Sequence, residues 1–172
     1  MGAAAVRCGQ AVSPLPLPER LVLFVPGQAV PQGSKTALIS KSTGRPIVVD
    51  KDVRLPQWRM KVTAHALEAR NARPDAADFP IRDAVGARIE FVIARPLTHF
   101  GTGRNAGRVK PGAPKHPAKM PDLDKLLRAI FDALTDAQVW ADDGQVVWVQ
   151  TSKHYAMPGQ QVGVSIQIGV MR

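Results

Sequence analysis

Apolar positions along this chain fall into short packets, and the spacing inside the packets changes along its length. Leu21-Val22-Leu23-Phe24-Val25 is an unbroken β-rich run closed by Pro26-Gly27, which predicts a buried strand. Pro31-Gln32-Gly33-Ser34-Lys35 is turn chemistry, and Gly44-Arg45-Pro46 leads into Ile47-Val48-Val49, an edge hairpin strand. Between Leu55 and Ala72 the period lengthens: Trp58, Val62, His65, Ala66 and Ala69 recur at spacings of three and four, which predicts a helix that Arg73-Pro74 ends. Ala87 to Ala94 returns to strand character through Ile89, Phe91, Val92 and Ile93. Leu123, Leu126, Leu127, Ile130, Phe131 and Leu134 form one apolar stripe, predicting a second helix from Leu123 to about Asp136. Gln145 to Tyr155 and Gln161 to Val170 read as two strands, and residues 156–160, with Pro158-Gly159, as a hairpin turn joining them.

This order predicts an α+β fold: a single domain over residues 20–172, with a mixed β-sheet and two main helices packed on it. Residues 1–19, Ala- and Pro-rich, read as a flexible tail. The long segment 95–120 before the second helix has no apolar period. Loops of that length inside a compact domain are usually functional or disordered, and this one is expected to be mobile in the absence of a partner.

Charge sharpens the picture. The chain carries a formal net charge of +9, and residues 95–119 hold six Lys/Arg and no acid. A strongly basic chain with clustered cations points to a polyanionic partner, most often nucleic acid. Cys8 is the only cysteine, so there is no internal disulfide and no cysteine-based zinc site. His65, His99, His116 and His154 lack metal-ligand spacing. No run of eighteen apolar residues exists, and the first twenty residues, broken by Arg7, Pro14, Pro16 and Pro18, lack a signal-peptide core. A cytoplasmic protein without membrane partners is expected.

Against this basic background, six of the fourteen carboxylates fall between Asp122 and Asp143. A structural role explains part of this. Asp122 is suited to cap the second helix, Asp124 to sit in its first turn, and Asp124, Arg128 and Asp132, at i, i+4 and i+8, to form surface ion pairs. A functional role explains more. A non-helical Asp122 can turn its side chain beside Asp124, Asp142-Asp143 supplies another carboxylate before a strand, and the basic loop runs directly into the pair. Carboxylates facing a polyanion need a cation between them, and Mg2+ takes few carboxylates, several waters and phosphate oxygens. Such an ion can activate water and steady a leaving oxygen, with Lys125 and Arg128 available to stabilise charge on the phosphate. A sugar-nucleotide transferase also uses Asp-x-Asp, but usually at the end of an apolar strand. A non-catalytic nucleic-acid-binding protein with a structural carboxylate cluster would account for the charge alone.

Asp122-Leu123-Asp124 with a polar residue next, then Phe131-Asp132-Ala133-Leu134, then Trp140-x-Asp142-Asp143-x-Gln145-Val146-Val147, resembles the RusA-type Holliday-junction resolvases. The close similarity covers residues 121–147, and Pro31-Gln32-Gly33-Ser34-Lys35 resembles the turn after the first strand in many members. The resemblance implies a homodimeric endonuclease that cuts branched DNA in recombination and repair. It also implies dependence on Mg2+ (with Mn2+ as a substitute) held by Asp122, Asp124 and Asp143. Arg128 occupies the family's catalytic lysine position, so the cationic role falls to Arg128 or to nearby Lys125. Lys35, Arg104, Arg108, Lys110, Lys115 and Lys119 are the candidate DNA contacts, and Tyr155 and Phe100 the candidate stacking residues. Trp140 and Trp148 read as core or dimer contacts, with the run Val146-Val147-Trp148-Val149 as a dimer seam because both its faces need cover. Whether Asp143 meets Asp122 of its own chain or of a second copy stays open.

Overall fold

A computed structural model describes residues 19–33, 36–39, 42–49 and 52–171. The tail up to residue 18, with Cys8, and the candidate DNA contact Lys35 lie outside the described residues. The chain runs β1 (Glu19–Pro26), β2 (Thr36–Ile39), β3 (Pro46–Val49), α1 (Leu55–Asn71), β4 (Val85–Ile93), α2 (Leu123–Asp136), β5 (Val146–Tyr155) and β6 (Gly163–Val170). β2 and β3 form a separate antiparallel hairpin; β2, four residues long, has too short a pattern to stand out in the sequence.

The main sheet has the order β1-β6-β4-β5. β6 pairs antiparallel with both β1 and β4, whereas β5 pairs parallel with β4. The predicted α+β fold, a mixed sheet carrying two helices, is therefore observed. The β5–β6 hairpin is not. The two strands flank β4 on opposite sides, and residues 156–160 carry the chain across the end of β4, where Ala156 N donates to Ile93 O at 2.9 Å. A Pro-Gly turn marks a reversal but not the neighbour that the returning strand will take. β6, alternating Val164, Ile166, Ile168 and Val170, gains two strand partners and full burial of that face beside β4.

Those four residues join Leu21 and Val25 of β1 and Val85, Ala87, Ile89, Phe91 and Ile93 of β4 in one core with Leu55, Trp58, Val62 and Ala66 of α1 and Leu126, Ala129, Ile130, Ala133 and Leu134 of α2. Both helices thus cover the same face of the sheet. Trp140 is fully buried, donates Nε1–H to Thr135 Oγ1 at 2.8 Å and meets Phe131 edge-on at 5.4 Å. It is a core residue. Trp148 pairs with Gly86 beyond a bulge and lies half-buried on the uncovered face, while Val147 and Val149 remain exposed on this edge strand. No helix among the described residues is long and apolar enough to cross a membrane.

Candidate active site

β4, α2 and β5 form a crossover unit, and its geometry decides where the carboxylates go. A helix linking two parallel strands runs back against them. The start of α2 therefore lies at the C-terminal ends of β4 and β5, and its end lies at their N-terminal ends. Lys153, near the end of β5, donates to Pro121 O at 2.7 Å just before α2 begins. At the opposite end, Asp143 shares a cleft of about 210 Å3 with Asp132, Thr135 and Asp136 of the last turns of α2, together with Arg59 and Asp142. Eight to twelve residues of helix, roughly 12 to 18 Å at 1.5 Å each, separate Asp124 from that cleft. One chain places Asp122 and Asp124 at the start of α2 and leaves Asp143 at the far end. Among the described residues no group of three or more His, Cys, Asp or Glu is gathered closely enough to hold a metal ion.

Asp122 occupies the position before the first turn of α2 in extended conformation, but its side chain does not cap the helix. It accepts instead from Lys125 Nζ at 2.6 Å. That hydrogen bond, and then the lysine charge, hold the Asp122 carboxyl below its ordinary pKa; Lys153 adds a smaller pull in the same direction. The same bond raises the Lys125 pKa. Asp124 is exposed in the first turn, and it makes no hydrogen bond or ion pair among the described residues. The pair, half-buried Asp122 and exposed Asp124, is thus an oxygen-only set with Asp122 held ionised, which suits a hard divalent cation.

Arg128, one turn beyond Asp124, is exposed and has no ion-pair partner among the described residues. The ladder of ion pairs expected along this helix is not observed: Arg59 of α1 takes Asp132 at 3.4 Å, along with Asp136 at 2.6 Å, and Asp124 and Arg128 form no ion pair among the described residues.

The segment 95–120 is folded back on itself. Phe100 bridges Val109, Gly101 bridges Ala106, and Gly101 N donates to Arg108 O at 2.9 Å. Its base is pinned to β5: the Arg95 guanidinium stacks over the Tyr155 ring at 4.5 Å and donates to Pro114 O, and His99 meets the same ring edge-on. Tyr155 is therefore engaged on its ring by the protein itself, and Phe100 is half-buried in the bridged arm. Lys110 Nζ donates to Thr98 O at 3.0 Å, whereas the exposed Arg104, Arg108, Lys115 and Lys119 side chains make no such bond among the described residues. Neutralising Arg104, Arg108 and Lys110 together should flatten the slope of log affinity against log salt by roughly two to three units, at about 0.9 for each phosphate no longer neutralised. An unchanged slope in a DNA-binding titration would show that the arm is only a solvated excursion.

Two residues that shape the site have no role assigned by the sequence pattern. Gln145 clamps the Asp142-Asp143 turn. Its Oε1 accepts from Ala141 N at 2.9 Å and Asp142 N at 3.0 Å, while its Nε2 donates to Ile81 O and Asp83 O. Asp142 completes a capping box by accepting from Gly144 N at 2.7 Å. The Asp-x-x-Gln spacing is the signal that could have found it. Lys153 has no such signal, since its partners lie more than thirty residues away in sequence.

The family model for Endodeoxyribonuclease RusA matches residues 26–168, most of the chain. The chain belongs to the RusA endodeoxyribonuclease family. The matched span contains β4, α2 and β5, and with them both halves of the split carboxylate set and the basic arm. This RusA-family chain has no match among curated proteins.

Proposed function

We propose that this RusA-family chain is a cytoplasmic, Mg2+-dependent endonuclease that hydrolyses phosphodiesters in branched DNA, including Holliday junctions, during recombination and repair. The observation that carries the reading is the pair of half-buried Asp122, held ionised, and exposed Asp124, at the sheet edge where the basic arm is anchored. Asp122 and Asp124 would hold the cation, which when bound would supply an activated water and stabilise charge on phosphate. Around it, Arg104 and Arg108 draw the flanking phosphates. Lys125 keeps Asp122 ionised, and the exposed Arg128 supplies a guanidinium that can bind two phosphate oxygens in the transition state.

The third carboxylate comes from a second copy in this reading. β5 is one of the two edge strands of the sheet, with Asp143 before its start and Lys153 near its end. A two-fold axis beside that edge sets two β5 strands antiparallel. It carries each Asp143 toward the other copy's Asp122 and Asp124, and the exposed Val147 and Val149 toward cover. Two equivalent sites then face two equivalent strands of a junction. The purified protein should nick branched DNA with Mg2+ or Mn2+ and cut linear duplex far more slowly, and EDTA should stop both. Full activity in EDTA would overturn the metal reading; equal rates on the two substrates would overturn the branched-DNA reading.

A further inference from the structure

Lys153 lies in β5 beside Phe91 of β4, so its stem points onto the helix-covered face of the sheet. Its half-buried ammonium forms no ion pair among the described residues. It donates to the carbonyl of Lys119 at 2.9 Å and to that of Pro121 at 2.7 Å. An ammonium has three donors and no acceptor, and here two of them are fixed on backbone carbonyls two residues apart. Those carbonyls belong to the last residues of the basic segment and to the residue immediately before Asp122. The Asp122 carbonyl in turn accepts the first bond of α2, from Leu126 N at 3.1 Å. A single strand residue thus ties the approach to the carboxylate pair onto the sheet, at a point where the approaching chain has no regular secondary structure of its own.

We propose that Lys153 is a positioning residue of the nuclease site: it fixes residues 119–121 against the end of β5, so that Asp122 and Asp124 are presented together at the start of α2. A group that orients metal-binding side chains from behind typically changes metal affinity or activity by tenfold to a hundredfold when removed, roughly the scale expected here. The inference rests on the metal-dependent reading above, and its test separates the two.

Lys153→Met, Lys153→Gln and Lys153→Arg are compared with the wild-type protein by three measurements. Amide hydrogen exchange, which needs no metal, should quicken over residues 119–126 in the Met variant while the rest of α2 keeps its protection. Mn2+ binding, read from the free-ion electron paramagnetic resonance signal, should weaken by about tenfold or more, and the Mg2+ needed for half-maximal cleavage should rise in step. DNA affinity in EDTA should not change. Lys153→Arg, able to donate to both carbonyls, should restore metal binding, and Lys153→Gln serves if the Met variant does not fold. Unchanged exchange at 119–126 overturns the proposal whatever the metal does. So does a general loss of protection and of DNA affinity that Arg fails to rescue, since that describes a residue of the whole fold. A wild-type protein that binds no Mn2+ and cuts in EDTA overturns the metal reading instead, and the exchange measurement still judges Lys153.

Discussion

Asp122→Asn, Asp124→Asn and Asp143→Asn are each expected to abolish cleavage while DNA binding is kept or slightly strengthened. Each change preserves shape and removes one negative charge near phosphate. Wild-type rates in all three would remove the carboxylates from the chemistry. Mixing then tests the split arrangement. In a heterodimer of Asp122→Asn with Asp143→Asn subunits, a site built across two copies leaves one complete set: Asp122 and Asp124 of one chain with Asp143 of the other. Subunit exchange should restore nicking to about a quarter of the wild-type level, because half the dimers are mixed and half their sites are whole. A site built within one chain predicts no recovery, because every set then carries a lesion. The roughly 12 to 18 Å of helix between the two halves in one chain is the reason to expect recovery.

Arg128→Ala should lower the single-turnover cleavage rate at saturating DNA by about a hundredfold or more, the scale for removing one donor to the transition state. Arg128→Lys should keep most of the activity. A purely structural Arg128 would instead cost about 0.3–0.5 kcal/mol per helical ion pair and little rate. Because Arg59 already holds Asp132 and Asp136, no such pair is there to break, and the melting temperature of Arg128→Ala should stay close to that of the wild type. An unchanged rate would shift the role to Lys125, whose ammonium is tied to Asp122 in this structure.

Much of the scaffold was legible in the sequence. The stripe from Leu123 to Leu134 marked α2 to its ends because an amphipathic helix writes its buried face into a period of three and four. The runs at Leu21–Val25 and Ala87–Ala94 found β1 and β4 for the corresponding reason in strands. Asp122, Asp124 and Asp143 stand out as candidates for one set from residue type, neighbouring basic charge and the family resemblance. The sequence left open whether Asp143 returns to Asp122 of its own chain or meets that of a second copy; within the chain, α2 runs against the strands it connects and keeps the two ends apart.

Local pattern, then, determined which segments are helix or strand, which faces are apolar and which side chains have chemistry to offer. These follow from neighbours a few residues apart. The tertiary structure decided the rest: that β6 enters between β1 and β4 instead of pairing with β5, that Arg59 rather than Arg128 neutralises the end of α2, and that the basic segment is a bridged arm anchored on Tyr155. It also decided that Lys153 reaches back to the threshold of Asp122. Each of these joins residues far apart in sequence, or is a choice among partners that local sequence leaves equally open. Such choices are settled only when the whole core packs.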